Sequence, residues 1–407
     1  MFVNEGTPVN EIVRLAARGD GVTAEGQHVA LAVPGDRVDA GGVVTAGPHH
    51  VEPPCRHFGT CGGCQLQHAD DETLRNFVRD RVANAAKGQG LDVAELLPEH
   101  LSPPETRRRG TLHALRTAQG AVLGFKEAGS HRLVDLAECP VLHPELERIF
   151  APLRAFIAAH GPKGNVDIAL TLCDQGVDLG LSHFPLEGLA ATEAALDFAR
   201  DNGLARLTID QGYGAETVWE PEPATISLSG LPVGLPSGAF LQATADAEAR
   251  MIEDAREWLG EARIVADLFS GLGTFAFALA QSGPKTRKVL AAEADQAAHL
   301  ACKASAARTG GKVLPIHRDL FRNPLQADEA SRFDGVLLDP PRAGAKAQIA
   351  ELAASTCPRV VYVSCNPSSW ARDAAVLVAG GFKLAKLRPV GQFRWSTHVE
   401  LVSLFTR

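Results

Sequence analysis

The chain has 407 residues, 45% of them hydrophobic and 22% charged, with a formal net charge of −8. That length suffices for two or three domains with proper cores, no stretch reaches the apolar length of a membrane span, and the N-terminus lacks the basic-then-apolar pattern of a signal peptide, so the expectation is a soluble, cytoplasmic protein. The acidic balance argues mildly against a nucleic-acid binder, although six Lys or Arg face a single acid, Glu127, between Arg107 and Arg132, a run open to two readings, a phosphate-contacting face or a solvated surface.

Taken in chain order, residues 1–50 are rich in Gly and Val, and their Gly-Asp-Gly and Pro-Gly-Asp turns predict short strands in a small, curled β module. Residues 51–85 carry a cysteine triplet, Cys55-x5-Cys61-x2-Cys64, followed by a polar helix from Asp70 to about Ala86. Cys139 follows further on. Clustered thiols at short spacing in a reducing compartment favour a metal over disulfides. Only one Cys-x-x-Cys arm is present, where zinc sites usually have two, and a compact triplet with a distant fourth cysteine is the pattern of an iron–sulfur cluster. Residues 86–235 mix strands with two amphipathic helices, HPELERIFAPLRAFIAAHG and GLAATEAALDFARDNG, each closed by glycine.

From residue 236 to 407 strand, turn and helix repeat, which predicts a parallel sheet covered on both faces, a doubly wound α/β fold. Its first strand runs into Asp267-Leu-Phe-Ser-Gly271-Leu-Gly273-Thr274, where glycines let the backbone approach a ligand at a helix N-terminus. Glu293 ends the next strand, a place suited to ribose hydroxyls. By spacing alone this fits a dinucleotide. Asp267 four residues before Gly271, and Asp339-Pro340-Pro341-Arg342 closing a later strand, favour S-adenosylmethionine instead. A further strand, Val360-Val361-Tyr362-Val363-Ser364, ends in Cys365, and Asn366-Pro367 then turns the chain. Ligands of open α/β sheets sit beyond the carboxyl ends of the strands, so Cys365 faces the site. Alone it would read as a small buried hydrophobe; its neighbours favour a nucleophile. Cys173, Cys302 and Cys357 read as structural.

DLFSGLGTF, AAEADQAAHLACKASA, LLDPPRAG, YVSCNPSSWARD and THVELVSLF, with FLQATADAEARM just before the first of them, together resemble the RNA uracil-5 methyltransferases, the RumA/RlmD and TrmA family. The resemblance covers nearly the whole chain and is thin between about 150 and 230. It implies a Rossmann-like class I methyltransferase domain behind a central α+β RNA-binding domain and an N-terminal module similar to a shortened, OB-like TRAM barrel. It makes Cys365 the nucleophile and Glu400 the base. Gln242, Phe269, Thr274, Glu293, Asp319 and Asp339 fall at positions that hold S-adenosylmethionine, and Cys55, Cys61, Cys64 and Cys139 at those of a 4Fe-4S cluster. Thr274 and Thr244 stand where many members have Asn, Gly391 where an Asp often precedes Gln-Phe, and Arg394-Trp395 in place of a Pro-containing turn.

The implied reaction needs those residues. Carbon 5 of uracil is a poor nucleophile until a thiolate adds to carbon 6, and a base must later remove the carbon-5 proton so that the thiolate can leave. The target is a looped or flipped-out uridine. The transfer-RNA branch typically lacks the cysteine cluster and the TRAM module, so the expectation leans to 23S ribosomal RNA as partner and to a monomeric enzyme. Competing readings are a transfer-RNA uracil-5 methyltransferase, an iron–sulfur oxidoreductase with NAD on the Gly271–Gly273 turn, and a non-enzymatic RNA-binding module. The 107–132 stretch and the β module are assigned to RNA backbone contacts.

Overall fold

The computed structural model describes residues 10–407; the first nine residues of the expected β module lie outside that range. Its C-terminal half is built on one long sheet. Five parallel strands run in the order Val313–His317, Lys288–Glu293, Ile264–Leu268, Gly335–Leu338 and Arg359–Ser364. Glu400–Thr406 and Lys383–Gly391 then continue it antiparallel. The central strands are apolar along their length: Val360 to Val363 and Leu401 to Phe405 are buried, with Ser403 the one polar residue of the second run. Two faces covered by helices require that pattern, since no alternate residue meets water. One face holds Trp258, Phe275, Phe277 and Leu279, the other Phe77, Tyr362, Trp370 and Leu377.

The expected helix of the cysteine segment spans Asp71–Gly88, with the Asp70 side chain capping it by accepting from Thr73 N. Its apolar residues Leu74, Phe77, Val78 and Val82 pack on the methyl-rich face of this same sheet. Val93–Leu96 and His100–Leu101 pair in parallel with Lys383–Gly391 at the sheet's edge. Residues from the early part of the chain therefore complete the C-terminal sheet.

The central region is a six-stranded sheet in the order Ala215–Trp219, Leu204–Asp210, Gly176–Ser182, Asn165–Cys173, Arg109–Thr117, Gly120–Gly124. Helices Phe150–His160 and Gly188–Asp201 lie against it around Phe156, Phe184 and Phe198. The segment from His143 to His160, expected as one helix, is broken after Glu147 into a short turn of helix and the longer one. The N-terminal residues form a five-stranded antiparallel curl, Asn10–Leu15 at its centre, compatible with a small barrel. Among the described residues no helix is long and apolar enough to cross a membrane.

Candidate active site

The sheet brings Cys365 and Glu400 together by register. Arg359–Ser364 and Glu400–Thr406 pair antiparallel with Ser364 opposite Leu401, so the next residue of one strand, Cys365, stands opposite Glu400. Asp339 leaves the neighbouring strand at the same edge, one residue past the Leu338–Tyr362 pair. Cys365 is held on a stiff turn. Asn366 caps the helix Pro367–Ala379, its side chain accepting from Ser368 N at 3.1 Å, and donates to the Arg342 carbonyl at 3.1 Å. Ser369 Oγ donates to the same carbonyl at 3.0 Å, so the cysteine turn and the Asp-Pro-Pro-Arg loop are tied to each other.

Acids dominate the electrostatics of this edge, with Arg109 and Arg342 the cations that reach it. Burial pushes the Glu400 carboxyl up to about 7, against the opposing pull of Gln392 and of the Arg109 charge. Asp339 is pushed well above the usual carboxylate range by burial, then by Glu400 and Asp267, with Gln242 opposing. Burial, reinforced by Glu400 and Asp339, raises the Cys365 thiol to about 11. Asp267 is fully buried, neither of its oxygens meets hydrogen-bond geometry with a partner, and burial lifts it to about 8. The backbone N–H of Ala276 opposes that shift from nearby. Acids that burial holds toward their protonated forms regain their charge when a cation is brought beside them, so the site favours a cationic ligand.

Beside it lies the glycine turn. Glu293 Oε2 accepts from Gly271 N at 2.8 Å, while its Oε1 accepts from Ala294 N and Asp295 N, both at 2.7 Å. Thr274 opens the helix Thr274–Ala280 behind Gly273, whose φ of 95° is glycine's territory; a Cβ there would meet the Phe277 ring at 2.7 Å. Phe269 itself holds a left-handed φ of 61°, a strain of the kind that persists at ligand sites because the surrounding structure imposes it. Its ring tilts against Phe321 at 5.4 Å between centroids. Asp319 accepts from Phe321 N at 2.9 Å and so fixes the position of that ring's backbone. Gln242 is buried and donates from Nε2 to Asp339 Oδ2 at 3.0 Å. The six residues expected at the methyl donor thus line the same edge as Cys365 and Glu400, on the strand ends and the segment just before the sheet.

Gln392 belongs to this site too. Its Oε1 accepts from Ala243 N at 2.8 Å, and its Nε2 donates to Gln242 Oε1 at 2.9 Å. A glutamine just past a strand carries no signal of its own in the sequence. Its pointers are its place between the Lys383–Gly391 strand and the loop leading to Glu400, and the Gln-Phe of the resemblance, to which no role is attached.

The departures from the family pattern have physical reasons. A Cβ at Gly391 would meet Val78 Cγ2 at 2.9 Å and Leu101 Cδ1 at 3.1 Å, so the side chains packed there leave no room for an Asp. Trp395 adopts a φ of 63°, and its carbonyl accepts from Gln65 N at 2.8 Å and Leu66 N at 3.0 Å. Arg394 pairs with Asp71 and donates to the Ser102 carbonyl. Thr244 caps the helix Ala245–Trp258.

The basic stretch needs correction. Arg108 is 8% exposed and donates to Glu248 Oε2 at 2.6 Å and to the Gln242 carbonyl at 3.0 Å. Arg109 donates to the Leu241 carbonyl at 2.5 Å. These two guanidinium groups hold the Leu241–Gln242 backbone instead of forming an open phosphate-binding face; Arg116, Lys126 and Arg132 are the exposed cations of the run.

Cys55, Cys61, Cys64 and Cys139 line one cavity of about 50 Å³ with Phe58, Phe125, Leu136 and Arg107. All eight cysteines are free thiols. Burial and the three neighbouring sulfurs push Cys64 up to about 12, with Gln67 opposing. Among the described residues no three potential ligands converge on the position of a single ion. Gly62 is required by close approach, because a Cβ would meet the Lys126 carbonyl at 2.9 Å.

A parallel sheet with a glycine turn after its first strand, an acid ending the second and acids at the ligand edge defines an S-adenosylmethionine-dependent methyltransferase of class I fold. Comparison with known proteins narrows this. The tRNA (Uracil-5-)-methyltransferase family matches residues 233–407. An uncharacterised RNA methyltransferase of Zymomonas mobilis is 50% identical over 401 residues, covering 98% of this chain and 100% of the relative. The 23S rRNA (uracil(1939)-C(5))-methyltransferase RlmD of Pectobacterium atrosepticum is 32% identical over 374 residues, covering 89% and 82%. In structure, the Pyrococcus abyssi tRNA (uracil-54, C5)-methyltransferase in complex with S-adenosyl-L-homocysteine superposes with a TM-score of 0.77 over 98% of this chain and 99% of that one, at 21% identity. The chain belongs to the RNA uracil-5 methyltransferase family and is an S-adenosylmethionine-dependent enzyme.

Proposed function

We propose that this protein forms 5-methyluridine in 23S ribosomal RNA, with Cys365 as nucleophile and Glu400 as base. The observation that carries the reading is the register that sets Cys365 opposite Glu400 at the acidic edge of the sheet, beside Asp339. The Cys365 sulfur adds to carbon 6 of the uracil, and the electron pair of the 5,6 double bond moves into an enolate centred on carbon 5 and the carbon-4 oxygen. S-adenosylmethionine would supply the methyl group on a sulfonium; as carbon 5 takes it, the methyl–sulfur bond breaks with its electrons left on sulfur, and the neutral thioether S-adenosylhomocysteine leaves. Glu400 then accepts the carbon-5 proton, the 5,6 double bond re-forms, and the carbon 6–sulfur bond breaks to return Cys365. A carboxyl raised to about 7 suits proton removal near neutral pH.

Gln242, Phe269, Thr274, Glu293, Asp319 and Asp339 would hold the methyl donor. The partnerless Asp267 carboxyl below the glycine turn and the raised acids around it fit a ligand that carries positive charge. Cys55, Cys61, Cys64 and Cys139 would hold a 4Fe-4S cluster. Because methylation is redox neutral, its part there is structural. Gln65 and Leu66, which lie in the chain between the cavity residues Cys64 and Gln67, bond the loop running to Glu400.

Ribosomal over transfer RNA is favoured by the relative that carries the 23S activity along most of both chains and by the cysteine cavity. The test is nucleoside mass spectrometry of ribosomal and transfer RNA from a deletion strain. Loss of 5-methyluridine from 23S RNA alone is the expected result; loss from transfer RNA alone overturns the substrate assignment.

A further inference from the structure

Gln392 sits where its amide has one possible orientation. The atom facing Ala243 N at 2.8 Å and Thr244 N at 3.4 Å must be the oxygen, because a backbone N–H can only donate. Its nitrogen is therefore the atom 2.9 Å from the Gln242 side chain, and that contact requires Gln242 to present its own oxygen. Gln242 in turn has only its nitrogen left for Asp339 Oδ2, 3.0 Å away. Each amide flip that a glutamine ordinarily allows is excluded here by the donor before it. The anchor is firm: Arg108 Nε holds the Gln242 carbonyl at 3.0 Å and Arg109 Nε the Leu241 carbonyl at 2.5 Å, which keeps the Ala243 and Thr244 donors in place.

Resting on the site reading above, we propose that Gln392 is a positioning residue, which through Gln242 commits Asp339 Oδ2 to accepting a hydrogen bond before substrate arrives. The relay leaves Oδ1 as the oxygen of that carboxyl not bound to Gln242. A proton carried by Asp339 is thereby confined to Oδ1, and the side chain meets its ligand in one orientation instead of two. Direction of burial supports this, since Asp339 favours its protonated form. Gln392 also lies against Glu400, so the two acids of the site are joined through two linked amides, Gln392 on Glu400 and Gln242 on Asp339.

The experiment is a double-mutant cycle with Gln392→Leu and Gln242→Leu, read as methyl transfer to a 23S RNA fragment and as the side-chain amide signals of the nitrogen-15-labelled protein. The Gln242 signal is assigned by its absence in Gln242→Leu. Gln392→Leu is expected to lower kcat about 10- to 100-fold with the RNA KM changed by less than about threefold, and to move the Gln242 amide signal. The double variant should be no slower than Gln242→Leu, because the first residue acts through the second. Multiplying effects in the double variant overturn the proposal, as does an unmoved Gln242 signal. Gln392→Glu retains the two backbone bonds but, ionised, cannot donate to Gln242. It is read by the amide signal alone: movement supports the relay, and an unmoved signal reduces Gln392 to a backbone clamp. The spectral readout needs no turnover, so it decides the relay even if wild-type protein forms no 5-methyluridine, the result by which the functional reading itself would fail.

Discussion

Two sets of half-buried thiols, with Cys139 fully buried in the second, occupy this molecule in opposite electrical company. Cys365 lies among carboxyl groups, Glu400 and Asp339, with Arg342 the nearby cation. Cys55, Cys61, Cys64 and Cys139 lie among one another, with Arg107 in the same wall. Burial raises the thiol in both places, to about 11 for Cys365 and about 12 for Cys64. The remedy differs. A lone sulfur ringed by acids becomes nucleophilic when one positive charge is brought beside it, whereas four sulfurs around a cavity demand several positive charges at once. The first arrangement suits a sulfonium-bearing substrate and the second a metal cluster.

The largest expected effect separates the two at a stroke. Cys365→Ala should abolish uridine methylation while leaving binding of S-adenosylmethionine and the visible absorption of the purified protein unchanged. Turnover in that variant would end the covalent mechanism. Glu400→Ala follows, with a loss of about 10²- to 10⁴-fold in rate. It is expected to accumulate RNA joined to Cys365, seen as a slow band on a denaturing gel that disappears when Cys365 is also replaced. On the other side of the comparison, if the proposed cluster is bound, Cys64→Ser should lose its iron and visible colour, and with them the anchoring of Gln65 and Leu66 to the Trp395 carbonyl; wild-type protein purified without air and holding no iron would overturn the cluster. The variant's Cys365 should still alkylate with the wild-type pH midpoint. A shift of that midpoint would mean that the two thiol environments are not independent.

How much of this was legible depended on how far apart the partners lie in the chain. Cys365, Asp339 and the Gly271–Gly273 turn each stand at the end of a local strand pattern, and the strand-then-turn grammar placed them at one edge before any contact was seen. Arg108 was read as a surface cation because its partner Glu248 is 140 residues away, and nothing local marks a guanidinium as buried. The Gln392–Gln242 contact spans 150 residues and escaped notice for the same reason. The pairing of Val93–Leu96 with the sheet edge was equally hidden, since a short, mostly exposed strand looks alike wherever it docks. Arg108→Ala is accordingly expected to destabilise the fold by about 3–5 kcal/mol, the cost of leaving Glu248 buried without its partner. Urea unfolding checks this; a fold of wild-type stability with weakened RNA binding would restore the phosphate-contact reading.

A subtler measurement sharpens the contrast at Cys365 itself. If the acids around the thiol await a cation, bound S-adenosylmethionine should lower the pH midpoint of Cys365 alkylation by about one unit or more relative to S-adenosylhomocysteine. The two ligands differ in the methyl group and in the charge on sulfur, so the neutral thioether controls for occupancy and access. Equal midpoints with the two ligands would show that the sulfonium charge does not reach the thiol, and that RNA binding must activate it instead.

The smallest effect tests whether Glu400 is stored at a cost. The native carboxyl keeps its proton up to about pH 7, whereas in the unfolded chain it loses it near the ordinary value of 4.5. Between those values the unfolded state binds fewer protons, so stability falls as pH rises, and the whole penalty is present above about pH 7. Glu400→Gln removes the charge and keeps the shape. At pH 8 it should stabilise the protein by roughly 2–3 kcal/mol, and by much less at pH 5, where the wild-type carboxyl is already neutral in the fold. Urea unfolding at the two pH values reads the difference. An equal gain at both would assign the effect to packing, and Glu400 would then be an ordinary buried acid, with no sign that its environment had been set for taking a proton.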